Sequence, residues 1–312
     1  MRSPFLALVA ALPLLVGLSP QKSGQSEFDL GYDPYVPTPY SIVERMLALA
    51  EVGPNDVVVD LGSGDGRIVI TAAQQFGARG VGVEIDRTLI AEAQEKAAKA
   101  GVAGRTRFVA RDFFDADLRE ATVLTLYLLP ETNRKLLPKI FAEMRPGTRV
   151  VAHRFAVGDW RPDARIMVDA AEDWSAVHAE RWLYLWYVPA RVAGEWEVVR
   201  DGDGTPFNLA LDQAYQHIDG AASGGTASGG TASGGTASGG TASGGTASGG
   251  TASGGATPVA LERAVLHGNE IRFVVPGQGP FAGDYAGRID GDTMSGDWNG
   301  GARWRAVRRR AQ

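Results

Sequence analysis

The chain has 312 residues, a formal net charge of −5 and no cysteine, and 44% of its residues are hydrophobic. Because one domain typically has about 100–200 residues, we expect a main domain and a smaller one. The charge gives no basic excess to attract nucleic acid, so we predict no nucleic-acid partner despite the arginines at 308–310. The lack of cysteine excludes disulfides, thiolate metal sites and cysteine nucleophiles.

Residues 1–20 have the pattern of a signal peptide or a short membrane anchor. Arg2 precedes an apolar run at residues 5–18, which ends before a polar stretch. This run is shorter than the about 20 residues that a membrane-spanning helix needs. We therefore expect export or membrane tethering, with a buried N-terminal helix as the alternative.

A proline-rich loop is predicted over residues 21–39, and an alternating series of strands and helices over residues 40–193. The first helix is expected at residues 41–50, with Ser41 and Glu44 placed as a capping box. Strands are expected at residues 56–60, 80–84, 106–110, 122–128, 149–155, 165–168 and 182–188, and helices at 68–75, 89–100 and 133–144. The alternation predicts an α/β fold with a Rossmann-like, doubly wound sheet of seven strands, the last two in hairpin order.

Residues 194–312 have a different pattern, in which glycines separate short strands. The expected strands are residues 195–200, 207–218, 260–266, 271–275, 284–289, 293–298 and 303–307, which predict a small antiparallel β domain. Within it, residues 222–256 repeat Ala-Ser-Gly-Gly-Thr, which has no apolar face to bury and is expected to be disordered. Strand-like segments on both sides favour an expanded hairpin loop, and an interdomain linker is the alternative.

A glycine-rich motif joins the first predicted strand to the following helix. It reads DLGSGDGR at residues 60–67, and Gly62, Gly64 and Gly66 permit positive φ and a close approach of backbone to ligand. Asp60 is suited to orient the loop or to meet an ammonium group, and Glu84 to accept hydrogen bonds from ribose hydroxyls. An arginine replaces the third glycine of the nicotinamide fingerprint, and the lysine of a phosphate-binding loop is absent, so both of those functions are disfavoured.

The motif DLGSGDGR, together with GVEID at residues 82–86 and RDFF at 111–114, resembles the class I, seven-strand S-adenosylmethionine-dependent methyltransferases. The resemblance covers about residues 34–190 and implies S-adenosylmethionine as cofactor. It implies that the glycine loop with Ser63 holds the methionine part, Glu84 and its neighbour Ile85 the ribose side, and Asp112 with Phe113 the adenine. Asp112 has an alternative role as a helix cap or turn residue.

Two further motifs narrow the resemblance. PYVPTP at residues 34–39 and LYLLP at 126–130 make the chain similar to the mitochondrial protein-lysine methyltransferases that modify the c-ring protein of ATP synthase and the adenine nucleotide translocase, and to their bacterial relatives. This implies a methyl acceptor that is a lysine amine in a protein, with membrane-associated proteins as candidates. The alternatives are a small-molecule methyltransferase, or a non-catalytic cofactor-binding module with a working exported β domain. A cytoplasmic location stays open because the cofactor is made there.

The predicted catalytic residues are Tyr127 and Tyr35. Tyr127 stands at the end of the fourth strand, where such enzymes bring the acceptor to the methyl group, and Tyr35 is expected to form a lid with Thr38. Core packing is the alternative for Tyr127, and a loop ordered only by its prolines for the other two residues. His153 is interpreted as a partly buried histidine rather than a base. The histidines lack ligand spacing, so no metal is predicted.

Overall fold

The computed structural model describes residues 35–168, 182–202, 205–224 and 257–310. All of them belong to one compact unit that begins at Tyr35. The predicted leader at residues 1–20, the first part of the proline-rich loop and most of the repeat lie outside the described residues. Within the described part, no helix has the length and apolar character needed to span a membrane.

The first sheet has seven strands in the order β3-β2-β1-β4-β5-β7-β6. Its strands are β1 (Val57–Leu61), β2 (Arg79–Glu84), β3 (Thr106–Ala110), β4 (Val123–Leu126), β5 (Arg149–His153), β6 (Ala164–Met167) and β7 (Trp182–Tyr187). The first five run parallel, and β7 runs antiparallel to both of its neighbours. The predicted Rossmann-like sheet, with its last two strands as a hairpin, is confirmed.

Helices cover both faces of this sheet. They are α1 (Tyr40–Leu49), α2 (Arg67–Phe76), α3 (Arg87–Lys99) and α4 (Pro130–Glu143). One apolar core includes side chains of α4, and another includes side chains of α1 and α2. The central strands β1 and β4 are buried along their whole length, which explains why both are apolar or β-branched at every position except Asp60. The carboxyl ends of β1 to β5 meet at one edge, here called the carboxyl edge.

The second sheet is antiparallel and closes on itself. Its strands are β8 (Gly194–Arg200), β9 (Phe207–Ala214), β10 (His217–Gly224), β11 (Val259–Ala260), β12 (Glu262–His267), β13 (Glu270–Val275), β14 (Gly283–Asp290), β15 (Thr293–Trp298) and β16 (Ala302–Arg308). The order is β11-β10-β9-β8-β16-β15-β14-β13-β12. Its two end strands, β11 and β12, are separated along the chain only by Leu261, whose N–H donates to the carbonyl of Gly220 at 2.9 Å. The predicted antiparallel β domain is confirmed.

Three details differ from the sequence-based expectations. The first helix begins at Tyr40 with Pro39 as its N-cap, so the capping box is wrong, and the Ser41 hydroxyl is buried with no partner among the described residues. The single strand expected at 207–218 is two strands, β9 and β10, joined at Tyr215, which has a φ of 57°. The expected disorder at 222–224 is also wrong, because these residues pair with β9 and Ala222 is fully buried.

The turn between β9 and β10 attaches the second sheet to the first. The Tyr215 hydroxyl donates to Asp159 at 2.6 Å, and the Trp160 indole N–H donates to Gln216 at 2.9 Å. The Tyr215 ring also lies 5.5 Å from the ring of Phe141 on α4. These contacts involve α4 and the loop after β5, so they leave the glycine loop outside this attachment.

Candidate functional site

The glycine loop, residues 62–66, crosses from β1 to α2 over the end of β2. Its three glycines have φ values of 73°, 52° and 77°. The backbone N–H groups of Gly62 and Ser63 both donate to the carbonyl of Val83, at 2.9 and 3.0 Å. A Cβ atom on Gly64 would lie 2.3 Å from the ring of Tyr35. The loop therefore needs glycine both for its backbone conformation and for its contact with Tyr35.

Glu84 joins the glycine loop to the turn that follows β2. Its Oε2 accepts a hydrogen bond from the Gly64 N–H at 2.8 Å. Its Oε1 accepts from the N–H groups of Ile85 and Asp86, at 2.8 and 3.0 Å. Since a carboxylate oxygen can accept more than one hydrogen bond, Oε2 keeps acceptor capacity for a ligand hydroxyl. Ile85 is 71% exposed at the rim of the same edge.

Asp60 is a buried carboxyl group at the end of β1, where its Oδ1 accepts from the Thr125 hydroxyl at 2.7 Å. Burial raises the pKa of Asp60 to about 7, the Thr125 hydrogen bond opposes this, and the negative charges of Glu84 and Asp65 raise the pKa further. A carboxyl group in this setting gains from a nearby ligand cation, which would stabilise the charged form.

The residues at this edge fit S-adenosylmethionine. Asp60 suits the α-ammonium group, and Glu84 suits a ribose hydroxyl. The Ser63 hydroxyl is buried and, within the described residues, has no hydrogen-bond partner, so it has donor and acceptor capacity left for a ligand. The individual ligand contacts of these residues stay predictions.

Asp112 and Phe113 follow β3 at the same edge. Asp112 is the N-cap of a short 3-10 turn, Phe113–Asp115, and its Oδ1 accepts from the Phe114 N–H at 2.8 Å. The capping role considered from the sequence is therefore present in the structure, while the carboxylate itself is exposed. Phe113 is half-buried against the first core. The Arg111 N–H donates to the carbonyl of Glu84 at 2.9 Å, which places this turn beside the ribose-side carboxylate.

The lead-in segment, residues 35–39, touches the glycine loop. Tyr35 is 48% exposed and its ring lies against Gly64, whereas Thr38 is buried. The carbonyl of Thr38 accepts a hydrogen bond from the Arg67 guanidinium at 2.9 Å. Burial raises the pKa of the Tyr35 phenol, and so does the nearby charge of Asp65. Both predicted lid residues thus lie beside the glycine loop and the start of α2.

Sequence reasoning missed the ion cluster of Asp65, Arg67 and Lys96. The Asp65 carboxylate is 2% exposed and forms salt bridges with Arg67 at 2.7 Å and Lys96 at 2.6 Å. Burial acts to raise the pKa of Asp65, but the hydrogen bonds from Arg67 and Lys96 outweigh it and lower the pKa to about 2. The position of Asp65 between two glycines of the loop was a signal that could have indicated a buried acid. Nothing in the sequence indicated that Lys96, 31 residues away, is its partner.

Tyr127 and His153 meet at the ends of the adjacent strands β4 and β5. Their ring centroids are 4.2 Å apart with an interplanar angle of 41°. Tyr127 is half-buried and His153 is buried. The next residue, Leu128, packs against the glycine loop, because its Cδ2 lies 3.1 Å from the position of a Cβ on Gly62. The two predicted catalytic tyrosines therefore have different neighbours: Tyr35 contacts the loop directly, and Tyr127 contacts His153.

Comparisons with known proteins agree with this site. The family model described as the ANTKMT methyltransferase domain matches residues 60–164. A protein-lysine N-methyltransferase of Saccharolobus islandicus (strain REY15A) is 50% identical over 137 residues, which are 44% of this chain and 85% of that protein. The adenine nucleotide translocase lysine N-methyltransferase of Mus musculus is 37% identical over 132 residues. This match covers 42% of the chain and 57% of the mouse protein, so the chain spans only about half of that relative.

A solved structure gives a further match. It is described as an RNA methyltransferase from Salinibacter ruber in complex with S-adenosyl-L-homocysteine, and it is 50% identical. The match covers 50% of this chain and 96% of that chain, with a TM-score of 0.46. The family model and the Saccharolobus islandicus relative confirm the resemblance to class I enzymes and S-adenosylmethionine as cofactor. The chain belongs to the S-adenosylmethionine-dependent methyltransferases of class I, in the family of the protein-lysine N-methyltransferases.

Proposed function

We propose that this chain transfers the methyl group of S-adenosylmethionine to the ε-amine of a lysine in a protein acceptor. The observation that carries the proposal is the match to 85% of a protein-lysine N-methyltransferase at 50% identity. The geometry supports it, because Tyr127 and His153 form an aromatic pair at the carboxyl edge, next to a leucine that contacts the glycine loop. Such a pair suits the aliphatic stem and amine of a lysine.

S-adenosylmethionine supplies an electrophilic methyl group on its sulfonium. Transfer forms a nitrogen–carbon bond to the lysine and breaks the carbon–sulfur bond, which leaves S-adenosylhomocysteine. The lysine amine must first lose a proton, because its ordinary pKa is about 10.4 and only the neutral amine carries a lone pair. The aromatic surface formed by half-buried Tyr127 and buried His153 favours the neutral amine by excluding water. The main task of the protein is then to align that amine with the methyl carbon.

We further propose that the acceptor is membrane-associated and that the chain is exported or tethered to a membrane. The support is the apolar run at residues 5–18, which precedes the lead-in segment. Because the lead-in segment contacts the glycine loop, a tether in that run would hold the site near the membrane surface. The exported or tethered form is tested by fractionating cells that express the full chain and the chain without residues 1–20.

The acceptor is tested with the full purified chain and S-adenosylmethionine labelled on its methyl group. The chain is incubated with separated membrane-protein, other protein, RNA and small-molecule fractions, followed by mass spectrometry of the labelled species. We expect label on lysine in the membrane-protein fraction, and none with Glu84→Ala. Label found mainly in RNA or in small molecules would refute the lysine acceptor, whereas lysine label in other proteins would refute only membrane association.

The role of Tyr127 is tested by removing its hydroxyl. Tyr127→Phe should lower kcat about tenfold while the Kd of the cofactor stays within a few-fold, as for an interaction made on the way to the transition state. Tyr187→Phe is the matched control, since Tyr187 is a half-buried tyrosine away from the carboxyl edge whose ring lies tilted against His267, with centroids 4.1 Å apart. An unchanged kcat in Tyr127→Phe would contradict a catalytic role for the hydroxyl and would leave core packing as the role of Tyr127.

A further inference from the structure

Arg67 connects the lead-in segment to the glycine loop. Its guanidinium donates to both carboxylate oxygens of Asp65, from Nε at 2.8 Å and from Nη2 at 2.7 Å. Its third nitrogen, Nη1, donates to the carbonyl of Thr38 at 2.9 Å. The Arg67 side chain is mostly buried. Arg67 thus joins the glycine loop to Thr38, which lies 29 residues before Arg67 in the chain, and every guanidinium nitrogen is in use.

The orientation of Arg67 is fixed by a buried negative charge. A two-point bond between guanidinium and carboxylate is both strong and directional. Lys96 on α3 holds the same carboxylate from another side, at 2.6 Å, and also pairs with Glu92. Asp65 therefore stays charged and in place, and Arg67 cannot turn away from Thr38 without breaking a charge-assisted bond.

Both ends of the lead-in segment touch this assembly. At one end, the ring of Tyr35 lies on Gly64, close enough that a Cβ there would overlap it. Just beyond the other end, at the first residue of α1, the guanidinium of Arg67 lies 5.1 Å from the ring centroid of Tyr40, a cation–π distance. Gly64 in turn donates its N–H to Glu84. Contacts therefore run without a gap from Arg67 through the lead-in segment and Gly64 to the carboxylate predicted to hold the ribose.

We propose that Arg67 is a positioning residue that holds the lead-in segment against the glycine loop, and that the cofactor is released when this segment moves away. Arg67 then sets how long the cofactor remains bound, and it has no role in methyl transfer itself. The proposal rests on the cofactor site alone and is independent of the lysine acceptor. It also assigns a role to Arg67, which occupies the position of the third glycine in the nicotinamide fingerprint.

The test compares Arg67→Gln with Lys96→Met in the full chain. Each variant removes one cation from Asp65, but only the first removes the contact with Thr38. The probe is S-adenosylhomocysteine, followed by its dissociation rate in a chase experiment and its Kd by calorimetry. Arg67→Gln should release it about tenfold faster and raise Kd similarly, as expected for loss of one hydrogen bond to a charged group. Lys96→Met should change the release rate by no more than about twofold.

A second variant keeps the test decisive if Arg67→Gln is unstable. Tyr35 is exposed enough for Tyr35→Ala to fold, and this variant should also accelerate release. In the double variant the two effects should not multiply, because both act through the same segment. Multiplied effects, or release rates that stay at the wild-type value in both single variants, would overturn the proposal. For Arg67→Gln, turnover at saturating cofactor should stay within about threefold of wild type, because the variant weakens binding of the ground state and of the transition state equally.

Discussion

Two buried carboxylates lie at the carboxyl edge of the first sheet, whereas carboxylates of the second sheet lie on its outer surface and pair with arginines of neighbouring strands. Asp60 lies near the end of β1 and Asp65 in the glycine loop, and both are buried. In the second sheet, Arg288 pairs with Glu270 at 2.6 Å and Arg303 with Asp297 at 2.9 Å, all of them exposed. The interior of the second sheet is filled instead by aromatic rings, among them Phe273, Tyr285 and Trp304.

This difference separates a region built to bind from a region built to be stable. Burying a carboxylate costs free energy unless a partner compensates for it. Arg67 and Lys96 compensate for Asp65, whereas Asp60 accepts from the neutral Thr125 hydroxyl and is the group suited to a ligand cation. Exposed ion pairs contribute only about 0–1 kcal/mol each, and the stability of the second sheet must come from its apolar interior. Changes to the interior of the second sheet should therefore act on stability, and changes at the carboxyl edge on binding.

The largest effect is expected from Trp304→Ala. Trp304 is 2% exposed, and its ring packs edge-on against Tyr285, 5.7 Å between centroids. Its truncation should lower the free energy of unfolding by about 3–5 kcal/mol, measured by chemical denaturation. Val307→Ala, at a 54% exposed position of the same strand, should change it by less than about 0.5 kcal/mol. If the folded Trp304→Ala protein also lost cofactor affinity tenfold, the separation of the two regions would be wrong.

Gly64→Ala is the corresponding change at the carboxyl edge. It forces alanine into a left-handed conformation and places its Cβ against the Tyr35 ring. The Kd of S-adenosylhomocysteine should rise about 100-fold by calorimetry, equivalent to about 2.7 kcal/mol. Gly101→Ala carries the same left-handed strain, φ +72°, with nothing within 4 Å, so it should cost about 1 kcal/mol of stability and no affinity. If both variants lost affinity equally, contact with the Tyr35 ring could not be the cause of the loss in Gly64→Ala.

Cofactor affinity should depend on pH through Asp60, whose pKa is raised to about 7 by burial. Below that pH the free protein holds a proton on Asp60, and an incoming ammonium group must displace it. The Kd should therefore be about tenfold higher at pH 6 than at pH 8, with proton release on binding near neutral pH. Calorimetry in buffers of different ionisation enthalpy measures the release. In Asp60→Asn the dependence should vanish, and a dependence that survives would belong to another group.

The smallest effect should come from shortening the repeat by deleting residues 227–251. The strands on either side are neighbours, because Ala222 pairs with Val259 in the β10–β11 ladder. Removing about two doublings of loop length should stabilise the fold by no more than about 1 kcal/mol and leave cofactor affinity unchanged. Ala222→Asp, at the buried start of the repeat, should instead destabilise the fold. A marked loss of stability on deletion would show that the segment packs on the sheet.

The fold of the first sheet was predictable because its signals are local. The central strands are mostly apolar or β-branched, and the glycine loop follows β1 directly, so strand, turn and helix are all visible in one short stretch. The same reasoning found Glu84, since an acid at the end of the second strand must lie beside that loop. Its hydrogen bond to Gly64 was not expected.

The features that escaped prediction depend on contacts distant in sequence. The turn at Tyr215 contains no glycine, proline or asparagine, and its left-handed residue is supported by a hydrogen bond to Asp159, 56 residues away. The raised pKa of Asp60 likewise follows from burial of β1 between β2 and β4, and Thr125, whose hydrogen bond opposes the rise, is 65 residues away. The capping box failed for a different reason: α1 begins one residue before the expected helix, which moves Ser41 out of the capping position.

The pairing of Ala222 with Val259 has a consequence for how this chain evolves. The two ends of the repeat are held one strand spacing apart, whatever number of residues lies between them. Tandem duplication or loss of whole five-residue units can therefore change the length of the chain without moving any residue of the sheet. The number of repeat units is then under no constraint from the fold. We expect this number to differ among close relatives whose flanking strands have the same length.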